Sequence, residues 1–252
     1  MLGLKRRRKA RNDRPIQARD IAVAGRCMPL AIHENARATR LTLRIEPGAR
    51  SLRMSVPKGI AQEEIDLFLR RHEGWLANRI SRLPPPSGLA EGGEIPIAGI
   101  PHRIRRTGKP RDITEIAHMN GEAVILVGGA PEHLGRRLAE YLKKRARGEL
   151  EAAVARHAAE IGKPVAGIKV RDTKSRWGSC TSKGRLSFSW RIAMAPEFVM
   201  DYLAAHEVAH LAEMNHGPRF WALCKALCPD TDRAKTWLKR NGSSLHAFDF
   251  TG

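Results

Sequence analysis

Acidic and aromatic side chains are both scarce in this chain of 252 residues: 26 Asp+Glu stand against 45 Lys+Arg, and Phe, Trp and Tyr together make up 5%. Cysteine is scarce too, with four residues, one of them isolated at Cys27. No disulfide framework is therefore expected, and the composition suits a reducing cytoplasm. Cys224 and Cys228 lie four apart. That spacing differs from the C-x-x-C of zinc ribbons and redox motifs, so core packing is the expected role. No apolar run approaches the roughly 18 residues of a membrane span, and no secretory apolar region follows the basic start. A cytoplasmic protein with no membrane partner is the expectation. The sequence shows no internal repeat.

What remains is a basic chain, 42% hydrophobic, with a formal net charge of +19. The first 20 residues carry eight basic and two acidic side chains, among them Lys5-Arg6-Arg7-Arg8-Lys9, and leave +13 for the rest. Such an excess favours a polyanion, because displaced counterions make association with a phosphate backbone favourable at modest salt. Nucleic acid is thus an expected partner of the basic surface and the N-terminal tail. Solubilising charge explains the same excess.

Hydrophobic periodicity predicts an α+β protein. Residues 1–25 read as a basic, disordered tail. Residues 26–130 read as strand-rich with one helix: 41–45 and 52–56 alternate, and 63–81 carries Ile65, Phe68, Leu69, Trp75, Leu76 and Ile80 at helical spacing. Pro84-Pro85-Pro86-Ser87-Gly88 stops that helix, and strands are expected at about 94–106 and 122–127. Residues 131–252 read as a second domain. Pro131 opens a long amphipathic helix with Leu134, Leu138, Leu142, Leu150, Val154 and Ile161 on one side. A strand at 168–171 and an alternating run at 185–192 follow, then a helix over 197–213.

That last helix carries His206-Glu207-Val208-Ala209-His210, followed by His216. On a helix, His206 and His210 stack one turn apart and can share a metal, while Glu207 can reach water beside it. The bare five-residue string arises by chance in about 3% of chains of this composition, so its surroundings matter. Phe198, Val199, Leu203, Val208 and Leu211 make the helix largely buried, and buried His and Glu without partners would be costly. A metal removes that cost. Gly217-Pro218 then turns the chain beside His216 and starts another helix, so His216 is the expected third ligand. Glu213, Asp230 and Asp232 are carboxylate rivals. Three protein ligands leave a coordination position open, as catalytic zinc sites do.

The blocks Lys174-Ser175-Arg176-Trp177-Gly178-Ser179-Cys180, Asp201-Tyr202-Leu203-Ala204-Ala205-His206-Glu207-Val208-Ala209-His210-Leu211 and Asn215-His216-Gly217-Pro218-Arg219-Phe220-Trp221 closely resemble the YgjP-like family of zinc-dependent metallopeptidases. The resemblance is strong over about residues 130–240 and weaker upstream, at Val56-Pro57-Lys58-Gly59, Phe68, Trp75-Leu76 and around Gly99. It implies a zincin-like catalytic domain related to the SprT type, with zinc on His206, His210 and His216, Glu207 as catalytic acid and base, and a peptide or protein substrate. Val208 and Gly217 depart from the Leu and Ser common in relatives, and neither change removes a ligand.

A hairpin between residues 176–180 and 185–192 is expected beside the active helix, and such a strand can receive a peptide by backbone pairing. Trp177 and Ser179 are the candidate substrate-binding residues; Trp177 as core filler and Gly178 as a turn residue is the rival reading. Cys180 lacks a free neighbouring base and reads as a structural thiol rather than a nucleophile. Two functions remain: a zinc peptidase, or a basic nucleic-acid-binding protein whose zinc site is structural or catalytically idle.

Overall fold

The computed structural model describes residues 15–46, 51–81, 89–173 and 175–251. They fall into two compact units, divided between Leu83 and Pro84. Residues 1–14 of the expected tail lie outside the described residues, but the expectation of a tail reaching residue 25 is corrected by β1, Gln17–Val23, which pairs antiparallel with β2, Arg26–Glu34. Ala24 and Gly25 join them with φ of 50° and 75°. Positive φ at both positions is a type I′ turn, which matches the strand twist of a two-residue hairpin.

In the first unit β2 also pairs in parallel with β4, Leu52–Val56, and β4 pairs antiparallel with β3, Thr42–Ile45, giving the order β1-β2-β4-β3. Helix α1, Gln62–Ser81, follows. Val23, Met28, Leu30, Ile32, Leu52, Met54, Val56, Ile65, Leu76 and Ile80 form this unit's own core.

The second unit begins with the same topology. β5, Glu94–Ile97, and β6, Ile100–Arg106, form a hairpin across Ala98 and Gly99, again with positive φ of 51° and 78°. β6 runs parallel to β8, Glu122–Val127, and β8 pairs antiparallel with β7, Glu115–Met119. The order β5-β6-β8-β7 repeats that of the first sheet, and here too a helix follows, α2, Leu134–Glu160. This repeat of strand order is legible only in three dimensions; what the two halves share in sequence is little more than the Ala-Gly turn. The division lies upstream of the expected boundary at residue 130, because Ile95, Ile97, Ile104, Ile125 and Val127 share one core with Leu138, Leu142 and Leu150 of α2.

After α2 the chain makes β9, Gly167–Arg171, β10, Gly178–Cys180, and β11, Arg185–Ser189, in the order β10-β11-β9. β11 pairs antiparallel with β10 and parallel with β9, so among the described residues one side of β10 has no paired strand. The alternating run 185–192 stops being strand at Ser189 and tightens into a 3-10 turn, Trp190–Met194. Three helices complete the unit: α3, Glu197–Ala209, α4, Pro218–Leu227, and α5, Thr231–Leu245. Helix α3 is apolar on nearly every side, as a helix in the middle of a core must be. Its start is braced by the β5–β6 turn, where Ala98 and Gly99 donate backbone hydrogen bonds to the carbonyls of Ala193 and Met194 at 2.9 and 3.1 Å. Among the described residues no helix is long and apolar enough to cross a membrane.

Candidate metal and catalytic centre

Helix α3 ends at Ala209, before the expected residue 213, and this early stop builds the centre. His210 closes the helix, Leu211 and Ala212 donate to the carbonyls of Val208 and Ala209, and the chain reverses through Gly217, which donates to Asn215. Pro218 then starts α4 at a position where a missing N–H costs nothing. The reversal returns His216 to the helix it has left.

The imidazole nitrogens of His206, His210 and His216 lie within 4.8 Å of one another, the one such cluster among the described residues. The Nε2 atoms of His206 and His216 are 3.1 Å apart. Zinc–nitrogen bonds of about 2.0–2.1 Å in tetrahedral geometry place two ligand nitrogens about 3.3 Å apart, so this pair already has the separation a shared ion requires. Phe220, fully buried at the start of α4, is the common floor, with ring centroids 4.5–4.9 Å from all three imidazoles. It was not singled out from sequence, where it is one apolar residue on an amphipathic helix.

The tautomers are set from behind. His210 Nδ1 donates to the backbone carbonyl of Glu213 at 3.1 Å, and His206 Nδ1 lies 3.3 Å from the hydroxyl of Tyr202, one turn earlier on α3. His210 is thereby left with Nε2 for a metal, and His206 is too when its Nδ1–H donates to the Tyr202 hydroxyl, the usual arrangement of an imidazole ligand with an outer partner. Tyr202 escaped sequence reasoning because a helical Tyr among apolar residues reads as core. Burial, reinforced by the neighbouring imidazoles and Lys235, pushes His206 down to about 4, and burial also lowers His210. Both are therefore neutral near pH 7 and present lone pairs rather than charge. Of the carboxylate rivals, Asp230 pairs with Arg233 at 3.4 Å and Asp232 with Lys225 at 2.7 Å, while Glu213 meets the cluster through its backbone carbonyl and its carboxylate is not among the converging ligand atoms.

Glu207 is 4% exposed and its Oε2 has no hydrogen-bond partner. Burial pushes its carboxyl up to about 8, opposed by the positive charge of Arg176. A buried carboxyl oxygen with no protein partner, beside three imidazoles, fits a divalent cation and its water, which would supply the missing charge and donors. Strand β10 covers it so closely that a Cβ on Gly178 would overlap the Glu207 carboxylate. Gly178 is therefore a contact residue as well as part of a strand.

Side chains alternate along β10, and Ser189 extends the ladder by donating to the Trp177 carbonyl at 2.8 Å. Gly178 meets Glu207, and Cys180, two residues on, feels the same carboxylate. Trp177 instead packs against Gly242 and His246 at the end of α5, and Ser179 shares its parity. The structure thus groups His206, Glu207, His210 and His216, and turns the side chains of Trp177 and Ser179 to the opposite face of the strand. Burial and Glu207 both raise the Cys180 thiol, the reverse of what a nucleophile needs. All four cysteines are free, and Cys224 and Cys228 are buried.

A domain model described as YgjP-like, metallopeptidase domain, matches residues 39–241, about four-fifths of the chain. No curated protein matches. The crystal structure of the metallopeptidase zymogen of Pyrococcus abyssi abylysin aligns with 38% of this chain and 94% of its own, at 23% identity and a TM-score of 0.34, a likeness too slight to define the fold.

Proposed function

Because the chain belongs to the YgjP-like metallopeptidase family and is a metal-dependent peptidase, we propose that its metal is zinc, held by His206, His210 and His216, and that Glu207 is the general base and acid of peptide hydrolysis. The observation that carries this reading is the convergence of three imidazole nitrogens beside a buried carboxyl oxygen with no partner. Zinc bound there supplies a Lewis acid that acidifies water and polarises a carbonyl.

The chain's own groups do the rest. Glu207 takes the proton of the attacking water as its oxygen bonds to the carbonyl carbon, then gives that proton to the amine nitrogen as the C–N bond breaks. Burial pushes the Glu207 carboxyl up to about 8, and a cation held beside it would bring it down, leaving a carboxylate able to accept the proton of water. Burial keeps His206 and His210 neutral, and Tyr202 and the Glu213 carbonyl orient their rings. The edge of β10 that has no paired strand among the described residues receives the substrate as an added antiparallel strand, with backbone pairing supplying affinity. The antiparallel register turns the backbone groups of Trp177 and Ser179 to β11, so Gly178 and Cys180 present theirs at that edge, and Trp177 and Ser179 contribute by holding the edge strand in place.

Zinc-loaded protein and its Glu207→Gln form, incubated with unfolded and DNA-bound protein substrates, test this reading. The variant is expected to keep stoichiometric zinc and lose at least about 10²-fold in turnover. Equal turnover in the two would remove Glu207 from the mechanism. The charge of +19 extends the proposal to a nucleic-acid partner. Affinity for single-stranded DNA measured at two salt concentrations must fall steeply with salt if phosphate contacts carry it.

A further inference from the structure

Helix α1 carries an aromatic ring that its own unit does not use. Helical spacing groups Trp75 with Ile65, Leu76 and Ile80, yet those three are at most 3% exposed and Trp75 is 50% exposed. Phe68 and Leu69 pack against the core of this unit, and Trp75 does not. One residue before Leu76, it stands about 100° around the helix from it, on a flank open to solvent.

The neighbours of the ring on that flank are cationic. Arg71 and Arg79 are both exposed and lie one turn before and one turn after Trp75, about 6 Å along the axis and about 40° around it on either side. Among the described residues, no hydrogen bond or ion pair engages either guanidinium.

The acidic side chains of α1 stand away from the ring. Glu63 and Glu64 sit in the first turn, about 16–18 Å along the axis from Trp75 and beyond the screening length of about 8–10 Å at ordinary salt. Asp66 is held by Arg19 and Gln62. Glu73 lies about 200° around the helix, on the far side. The unit as a whole is also the more basic of the two: residues up to Leu83 are about a third of the chain and hold 19 Lys+Arg against eight Asp+Glu, so +11 of the total +19.

We infer that this flank of α1 binds single-stranded nucleic acid, with one base stacked on the Trp75 ring and the phosphates on either side of it paired with Arg71 and Arg79. The inference rests on the nucleic-acid reading of the net charge above and names the surface that reads it. An exposed ring beside unpaired cations is the combination that holds a single strand, because every base offers a face to stack and every nucleotide a phosphate. In a duplex those faces are already stacked on one another. A lone ring flanked by two guanidinium groups also lacks the continuous apolar face that lies in a bilayer.

The test compares the full-length wild type with Trp75→Ala, Trp75→Phe and the double variant Arg71→Gln/Arg79→Gln. Affinity is measured by fluorescence anisotropy for a labelled oligothymidylate, for the same strand paired with oligoadenylate, and for an abasic strand of equal length. Trp75→Ala is expected to weaken the oligothymidylate by at least about fivefold and to leave the duplex and the abasic strand unchanged, while Trp75→Phe keeps most of the affinity. The double variant should weaken all three strands, and on the single strands it should reduce the slope of log affinity against log salt by about 0.7 for each arginine removed.

Unchanged binding of oligothymidylate by Trp75→Ala, or an equal loss on the abasic strand, overturns the stacking site. So does a loss that appears only with phosphatidylserine vesicles or with polyglutamate, since the flank then serves a membrane or an acidic protein. Failure of the charge reading looks different: the wild type itself then binds none of the three strands at low salt, and the site falls with it.

Discussion

Gly178→Ala is the sharpest perturbation this centre offers, because it adds one methyl group at the point where β10 touches the Glu207 carboxyl. The added Cβ would lie 2.7 and 2.8 Å from Cγ and Cδ of Glu207. Carbon atoms in contact sit about 3.5–4.0 Å apart, so the carboxylate or the strand must give by about 1 Å. Neither moves freely: Glu207 is 4% exposed, and β10 is held by its pairing with β11. Overpacking of this kind costs roughly 1–3 kcal/mol, and a shift of about 1 Å in a reacting group costs on the order of 10²-fold in rate. The variant is expected to bind zinc stoichiometrically, because the three imidazoles are untouched. Its turnover should drop by about 100-fold, and its melting temperature by about 2–4 °C per kcal/mol lost. Steady-state kinetics on an unfolded protein substrate, metal analysis and calorimetry on one preparation check all three. If turnover stays within about threefold and the melting temperature within about 1 °C, Glu207 does not lie against this strand in the working enzyme and the geometry is wrong.

Three further outcomes follow from the same structure. His216→Ala should lose metal on dialysis against a weak chelator while Glu213→Ala keeps it, since only the Glu213 backbone serves His210; metal retained by the first variant would move the third ligand elsewhere. Gly25→Ala and Gly99→Ala both place a side chain at positive φ, but only the second meets a wall, Pro196 Cγ at 2.7 Å. Gly99→Ala should therefore be the more destabilising by roughly 1–3 kcal/mol in denaturant unfolding, and equal losses would mean that the turn does not brace α3. Burial pushes the Asp172 carboxyl up, but hydrogen bonds from Arg191 at 2.8 and 3.2 Å and its charge outweigh this and hold it below the ordinary carboxylate range. A depressed folded value means that this stabilisation is present above the unfolded value of 3.8 and is lost as pH falls through the folded one. Wild type should exceed Asp172→Asn in stability at pH 7, and the two should converge in acid; a gap independent of pH would discard the charge contribution.

The sequence by itself determined which polar groups of α3 lie together. His206, Glu207 and His210 are separated by helical spacing, so once the segment is a helix their proximity is fixed by the 3.6-residue turn. His216 was legible because Gly217-Pro218 marks a reversal beside it. The cores were legible too: Leu138, Leu142 and Leu150 keep one face of α2 apolar, and each is fully buried. Strands β1, β2 and β7 were not read as strands, since their alternation is broken by Arg19, Asp20, Pro29 and His118. Cross-strand pairing overrode those local signals.

Only the tertiary structure decided which side chains meet across elements. A glycine in a strand does not announce that a carboxylate occupies the space of its missing Cβ. Nor does a helical tyrosine announce that its hydroxyl stands behind His206. Register set these contacts: a slip of one residue along β10 would have sent Trp177 and Ser179 toward Glu207 and turned Gly178 away. Local spacing places groups on one element; only the pairing of β10 with β11 and its packing on α3 could place the rest.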